Sequence, residues 1–116
     1  MTMGEASERY GIPLYILREY GAWGLGGAAA EAGRYNDRDI QRLSVLMSLH
    51  DMGFASAEAE VYMGLLEQPH SEDERLRMLE EKRSAVLAEI HTRERQLQRL
   101  DYLRHEIRKA QRQDGR

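Results

Sequence analysis

The chain reads as mainly all-α: a small helical head followed by one long C-terminal helix. Three observations predict this. The first twenty residues contain two short helical patterns joined by a tight turn. The last forty or so carry an apolar seam with a seven-residue repeat. Nowhere between them does the apolar/polar alternation of a strand appear.

The opening stretch, Thr2 to Tyr20, organises the head. Thr2 and Glu5 form a T-x-x-E capping box. Ala6 and Tyr10 lie four apart on one helical face, and Gly11 supplies the residue that lets a helix end left-handed. Pro13 suits the start of a second helix, because its ring fixes φ and the missing N–H has no partner to lose there. Leu14 and Leu17 are expected to face the core, leaving Tyr15, Ile16, Arg18 and Glu19 outward over a helix from about Leu14 to Tyr20. This is the grammar of a helix-turn-helix, whose second helix enters a DNA major groove. Arg18 is the leading candidate for a DNA contact, since its planar fork suits a phosphate or the O6/N7 edge of guanine. Its alternative is a salt bridge to Glu19 or another carboxylate. Tyr20 can donate its hydroxyl to a phosphate or pack beneath the turn.

Residues 21–33, GAWGLGGAAAEAG, are small and favour helix over strand at Ala28–Ala30. Trp23, a lone large aromatic among glycines, is expected to pack. Arg34 and Tyr35 close this segment and are its candidate DNA contacts. Asn36 is a good N-cap for a further helix running to about Met52, with Asp37 and Asp39 at the positive end of its dipole. Ile40, Leu43, Leu46 or Met47, and Leu49 recur on its inner face, and Gly53 stops it. Arg38 and Arg42, four apart on the outer face, can touch backbone phosphates or stay solvated. Phe54 reads as a core plug. Ser56 is expected to cap the next helix, which runs to about Glu67 with Val61, Leu65 and Leu66 inward; Pro69 ends it.

From about Ser71 to Ala110 one charged helix is predicted. One set of seam positions holds Leu76, Arg83, Ile90, Leu97 and Arg104; the other holds Leu79, Val86, Arg93, Leu100 and Ile107. At ~1.5 Å per residue this helix reaches roughly 60 Å, too long to fold back on so small a head. Its aliphatics (Leu76, Leu79, Val86, Ile90, Leu97, Leu100 and Ile107) therefore call for a partner helix, most economically that of a second copy. The seam arginines are expected to reach carboxylates such as Glu89 or Glu94 across the pair. Residues 1–69 thus form the head and 70–116 the dimerisation helix with a short tail.

Four segments in order resemble one family. Leu17-Arg18-Glu19-Tyr20 with Trp23-Gly24-Leu25 is similar to the L-R-[YF]-[YW]-E-x-x-G-L signature of MerR-type (mercury-resistance regulator) transcription factors. Arg34-Tyr35 with Asp39-Ile40-Gln41-Arg42-Leu43, Met52-Gly53-Phe54 with Ser56, and the terminal helix resemble its later segments. The resemblance implies a winged helix-turn-helix head, a β-hairpin wing at residues 21–33 with Arg34 and Tyr35 at its far end, and an antiparallel coiled-coil homodimer. It implies a transcriptional regulator on palindromic double-stranded promoter DNA, acting on RNA polymerase by distorting the promoter spacer. Two positions depart from the signature: Glu19 stands where an aromatic is usual, and Gly21 where a glutamate is usual.

Composition bounds the function. No cysteine means no disulfide, thiolate metal site or iron–sulfur ligation, so the metal-thiolate sensing of some members is excluded. No run approaches the ~18 apolar residues of a membrane span, and the N-terminus lacks a signal-peptide pattern; a cytoplasmic protein without membrane partners is expected. No catalytic residue, cofactor or metal site is predicted: His70 to Glu74 is the one dense cluster of ligand-type residues, and its carboxylates suit a helix start. The balance of charge is unusual for a DNA-binding head. Residues 1–66 carry five arginines against nine carboxylates, while the chain as a whole is −3. This leaves an alternative in which the head is a degenerate protein-interaction module or heterodimer partner that binds DNA weakly or not at all.

Overall fold

The computed structural model describes residues 2–114, and they form six helices with no strand among them. In helix α1 (Met3–Tyr10) the Glu5 N–H donates to Thr2 Oγ1 at 3.1 Å, the first half of the expected capping box, while the Glu5 carboxylate accepts from the Thr2 hydroxyl at 3.2 Å; the helix ends at Gly11 with φ 66°. Helix α2 (Leu14–Ala22) follows a buried Ile12 and takes Pro13 as its N-cap, one residue outside the expected position. The Pro13 carbonyl accepts from Ile16 and Leu17.

The rotation of α2 differs from the sequence expectation. Ile16, Leu17 and Tyr20 are buried, whereas Leu14 is 42% exposed. Leu14/Leu17 and Ile16/Tyr20 are both legitimate helical pairs, so spacing alone allows either. Tyr20 decides it, because burying its large ring brings Ile16, four residues earlier, inside with it.

Where the family resemblance implies a hairpin, the chain makes a turn through Trp23–Gly26 and then a five-residue helix, α3 (Gly27–Glu31). The Ala28–Ala30 preference for helix thus prevails. The Arg34 N–H closes the segment on the Ala29 carbonyl at 2.8 Å. Trp23 is half-buried.

Helix α4 (Asp37–Asp51) has the expected Asn36 cap, made reciprocal by Asp39, and Leu43, Leu46 and Leu49 are its buried stripe. Phe54 is buried beside Tyr62, with ring centroids 6.5 Å apart. Helix α5 (Ser56–Leu66) starts one residue earlier than expected. Ala55 is the N-cap, and its N–H is held by the Glu58 carboxylate at 3.0 Å. Ala59, Tyr62, Met63 and Leu65 are buried, while Val61 is 57% exposed and Leu66 half-buried. Val61 falls outside because Tyr62 takes the inner face. Helix α2 packs on α1, α3 and α4, and α4 packs on α5, so the second helix is the hub of the head.

The chain divides into two compact units, Met1–Leu76 and Arg77–Arg116, and the division falls inside the long helix α6 (Glu72–Asp114). Just before α6, Ser71 is buried: its hydroxyl donates to the Leu65 carbonyl at 2.6 Å and accepts from Arg75 Nε at 3.0 Å, which binds the first turn to the head. No described residue of α6 is buried. Leu76, Val86, Ile90, Leu97, Leu100 and Ile107 are exposed and Leu79 is half-buried, leaving the heptad seam uncovered along the helix. Arg104 pairs with Asp101 and Arg93 with Gln96, both one turn away on the same helix. Among the described residues, no helix is long and apolar enough to cross a membrane.

Candidate nucleic-acid interface

The rotation of α2 sorts its side chains into two sets. Inward, Tyr20 is wholly buried and its hydroxyl donates to Asp39 Oδ1 at 2.5 Å. The other Asp39 oxygen accepts the Asn36 N–H at 3.0 Å, and Asn36 Oδ1 accepts the Asp39 N–H at 2.9 Å. One buried carboxylate thus serves both the cap of α4 and the base of α2. Gly26 lies directly over this pair. A Cβ there would collide with Ala30 Cβ and come within 2.7 Å of Tyr20 Cε1, so the turn after α2 can close only over a residue without a side chain.

Tyr20 is therefore not a surface donor: its phenol is committed to Asp39. Burial and that hydrogen bond push its pKa up to about 12, with Arg42 pulling in the opposite sense. Tyr35 is also buried, tilted against Tyr20 with centroids 6.4 Å apart, and its hydroxyl has no hydrogen-bond partner among the described residues. Burial, then the Asp39 charge, raises its pKa too.

These shifts make the fold sensitive to base. In the unfolded chain the Tyr20 phenol titrates near 10, while the folded chain keeps the proton to about 12. The stability from this group is complete below pH 10 and is lost as pH rises toward 12, where the unfolded state has released its proton and the native state has not. Urea midpoints measured between pH 9 and 12 should fall, and fall less steeply in Tyr20→Phe. Parallel slopes would show that the fold does not hold this proton.

Outward on α2 stand Leu14, Tyr15 and Arg18, all exposed. Glu19 does not join them. Its Oε2 lies 2.9 Å from His50 Nε2 on α4, and its Oε1 accepts the Ser56 hydroxyl of α5 at 2.7 Å. The carboxylate that would repel a phosphate is thereby turned sideways, and it pins the outer edge of α2 to two other helices. Arg18 is left without an ion-pair partner among the described residues, so the Glu19 pairing considered from sequence does not form. Tyr15 is held edge-on to the His50 ring, centroids 5.7 Å apart at 78°.

Of the other sequence candidates, Arg34 and Arg38 are exposed. Arg38 reaches Glu67 at 3.2 Å, an exposed pair that a stronger anion could replace. Arg42 is different. Its guanidinium donates to the Leu25 carbonyl at 2.8 Å and pairs with Glu67, and its side chain is mostly buried. It clasps the turn after α2 to the end of α5. The candidate surface is therefore Tyr15 and Arg18, with Arg34 and Arg38 on neighbouring segments, while Tyr20, Tyr35 and Arg42 support it from within. Sequence reasoning missed Leu14 as a surface residue and the Glu19–His50–Ser56 network, whose members are far apart in the chain and follow no spacing rule.

Comparison with known proteins bears on this arrangement. A family model described as "MerR HTH family regulatory protein" matches residues 1–66. Among solved structures, the chain is similar to HiNmlR, described as a MerR family regulator lacking the sensor domain, bound to promoter DNA. The TM-score is 0.64 at 30% identity, with 87% of this chain and 84% of that chain covered. No curated protein matches. With more than half its length matched by the family model and a helix-turn-helix head leading into a long C-terminal helix, the chain belongs to the MerR helix-turn-helix family of regulatory proteins, a family of transcription regulators and not of enzymes.

Proposed function

We infer that the chain is a DNA-binding transcriptional regulator that acts in the cytoplasm as a homodimer on a palindromic promoter element. The observation that carries this reading is the outward face of α2. It presents Arg18 without a competing carboxylate, because Glu19 is engaged by His50 and Ser56. That also removes one reason for doubting an acidic head: local placement of charge near the groove matters more than the head's total. Arg34 and Arg38 would bind phosphates beside the groove, giving affinity without sequence preference. The uncovered seam of α6 would be buried against the same helix of a second copy, antiparallel in the family's manner, so that each head takes one half-site. Regulation would come through deformation of the promoter seen by RNA polymerase.

A second reading is favoured by the remaining acidic excess and by the commitment of Arg42 to the fold. In it the head is an interaction module or the partner of a more basic relative.

Selection from random duplex DNA at low and at physiological salt separates the two. The first reading expects an enriched palindrome whose affinity falls as salt rises. Arg18→Ala should weaken it by roughly ten-fold or more, within the 1–3 kcal/mol of a base contact. Arg34→Ala and Arg38→Ala should weaken all duplexes alike and flatten the salt dependence. No enrichment at either salt, from protein shown to be dimeric, would leave the second reading standing.

A further inference from the structure

Resting on the reading of the chain as a DNA-binding regulator, we propose that α2 reads its half-site through thymine methyl groups, with Leu14 and Tyr15 as the contacting residues. In a helix-turn-helix the first residues of the second helix meet the base edges. Here those residues are Leu14, which has no hydrogen-bonding group, and Tyr15, which presents a ring; they are 42% and 52% exposed. Arg18, one turn further along, is the first charged residue on that face.

The chemistry of the two side chains selects the bases. Against the donors and acceptors of a G·C pair, an aliphatic side chain strips water from polar edges and returns no hydrogen bond. Against the C5-methyl of thymine, the same side chain buries apolar surface on both partners. The arrangement is also held in place. Tyr15 leans edge-on against His50, His50 is fixed by Glu19, and Glu19 is fixed again by Ser56, so the ring does not need to be ordered when DNA arrives. An aliphatic side chain and an aromatic ring, beside an arginine with no ion-pair partner among the described residues, suit a surface that meets both methyl groups and phosphates or guanine. An apolar protein groove would suit the first two and leave Arg18 unmatched.

The test uses the full chain and the duplex recovered by selection. Each half-site is expected to carry thymines at the positions under the start of α2. Replacing them one at a time by deoxyuridine, which deletes only the methyl, should weaken binding by about four-fold at each contacted position, the worth of one buried methyl, and by nothing elsewhere. Leu14→Ala should abolish the uracil effect at one position and Tyr15→Ala at another; both residues are exposed, so the head should stay folded. A bound half-site that is indifferent to uracil, or that carries G·C pairs at those positions, overturns this inference and leaves the regulator reading intact. Failure to retain any duplex overturns both and assigns the patch to a protein partner.

Discussion

Replacing Leu97 and Leu100 together by aspartate is expected to convert the protein from dimer to monomer and to remove most of its operator affinity. Both residues are 58% exposed on α6 and belong to the two interleaved sets of the seam. In the proposed coiled coil they would be buried knobs near its middle, and two carboxylates there would meet two more from the other chain. Sedimentation should report a mass falling from twice to once 13.4 kDa. Helix content should fall as well, because a long charged helix with no packed face is only marginally stable in water. Affinity for a palindrome should drop by on the order of a hundred-fold or more, as the second half-site loses the high effective concentration that linkage provides. The head should keep its own unfolding transition, since neither residue lies in the Met1–Leu76 unit. A wild-type monomer, or a dimer that survives both substitutions, would sink the assignment of α6.

The second large effect is expected inside the head. Asp39→Ala removes the acceptor of the Tyr20 hydroxyl and of the Asn36 N–H at once. A buried hydroxyl is left unsatisfied and a reciprocal helix cap is lost, for a combined cost on the order of 3 kcal/mol. In a head of this size such a loss corresponds to a fall in Tm of roughly 10–20 °C. Asp39→Asn should fall between wild type and alanine. Its one acceptor oxygen can serve the backbone N–H or the tyrosine O–H but not both; with the oxygen on the N–H, the amide NH2 donates to the phenol oxygen and the phenol proton is left without an acceptor. Asp37→Ala is the control, because Asp37 shares the first turn of α4 but is exposed. If the two alanine variants melt alike, Asp39 is an ordinary cap and the buried bond to Tyr20 contributes nothing.

What the sequence makes legible follows from the range of each interaction. Thr2 with Glu5, Asn36, Gly11 and Gly53 act on their own or adjacent turns, and each marks the boundary expected of it. The helix of α6 is equally plain, because an apolar period of seven sustained over forty residues matches the turn of a helix and not the two-residue period of a strand. Ambiguity begins where two local solutions tie. Leu14 and Ile16 compete for the inner face of α2, as Val61 and Tyr62 do on α5, and only the neighbouring helices choose between them. The same limit applies to Glu19. Read along the chain it is a carboxylate on a recognition helix. In the fold it is the anchor of a network whose other members lie 31 and 37 residues away. Asp39, too, reads locally as nothing more than a dipole partner: its bond to Tyr20 spans 19 residues and has no signature in the sequence.

The short helix α3 has a consequence for how the molecule behaves in a crowded solution. A β-hairpin projecting from a small domain carries two open edges, and each exposes a row of unsatisfied N–H and C=O groups on which another chain can add as a strand. By folding residues 27–31 as a turn of helix, this head presents no strand edge for such addition among its described residues. In the proposed dimer, self-association would then rest on the apolar face of α6.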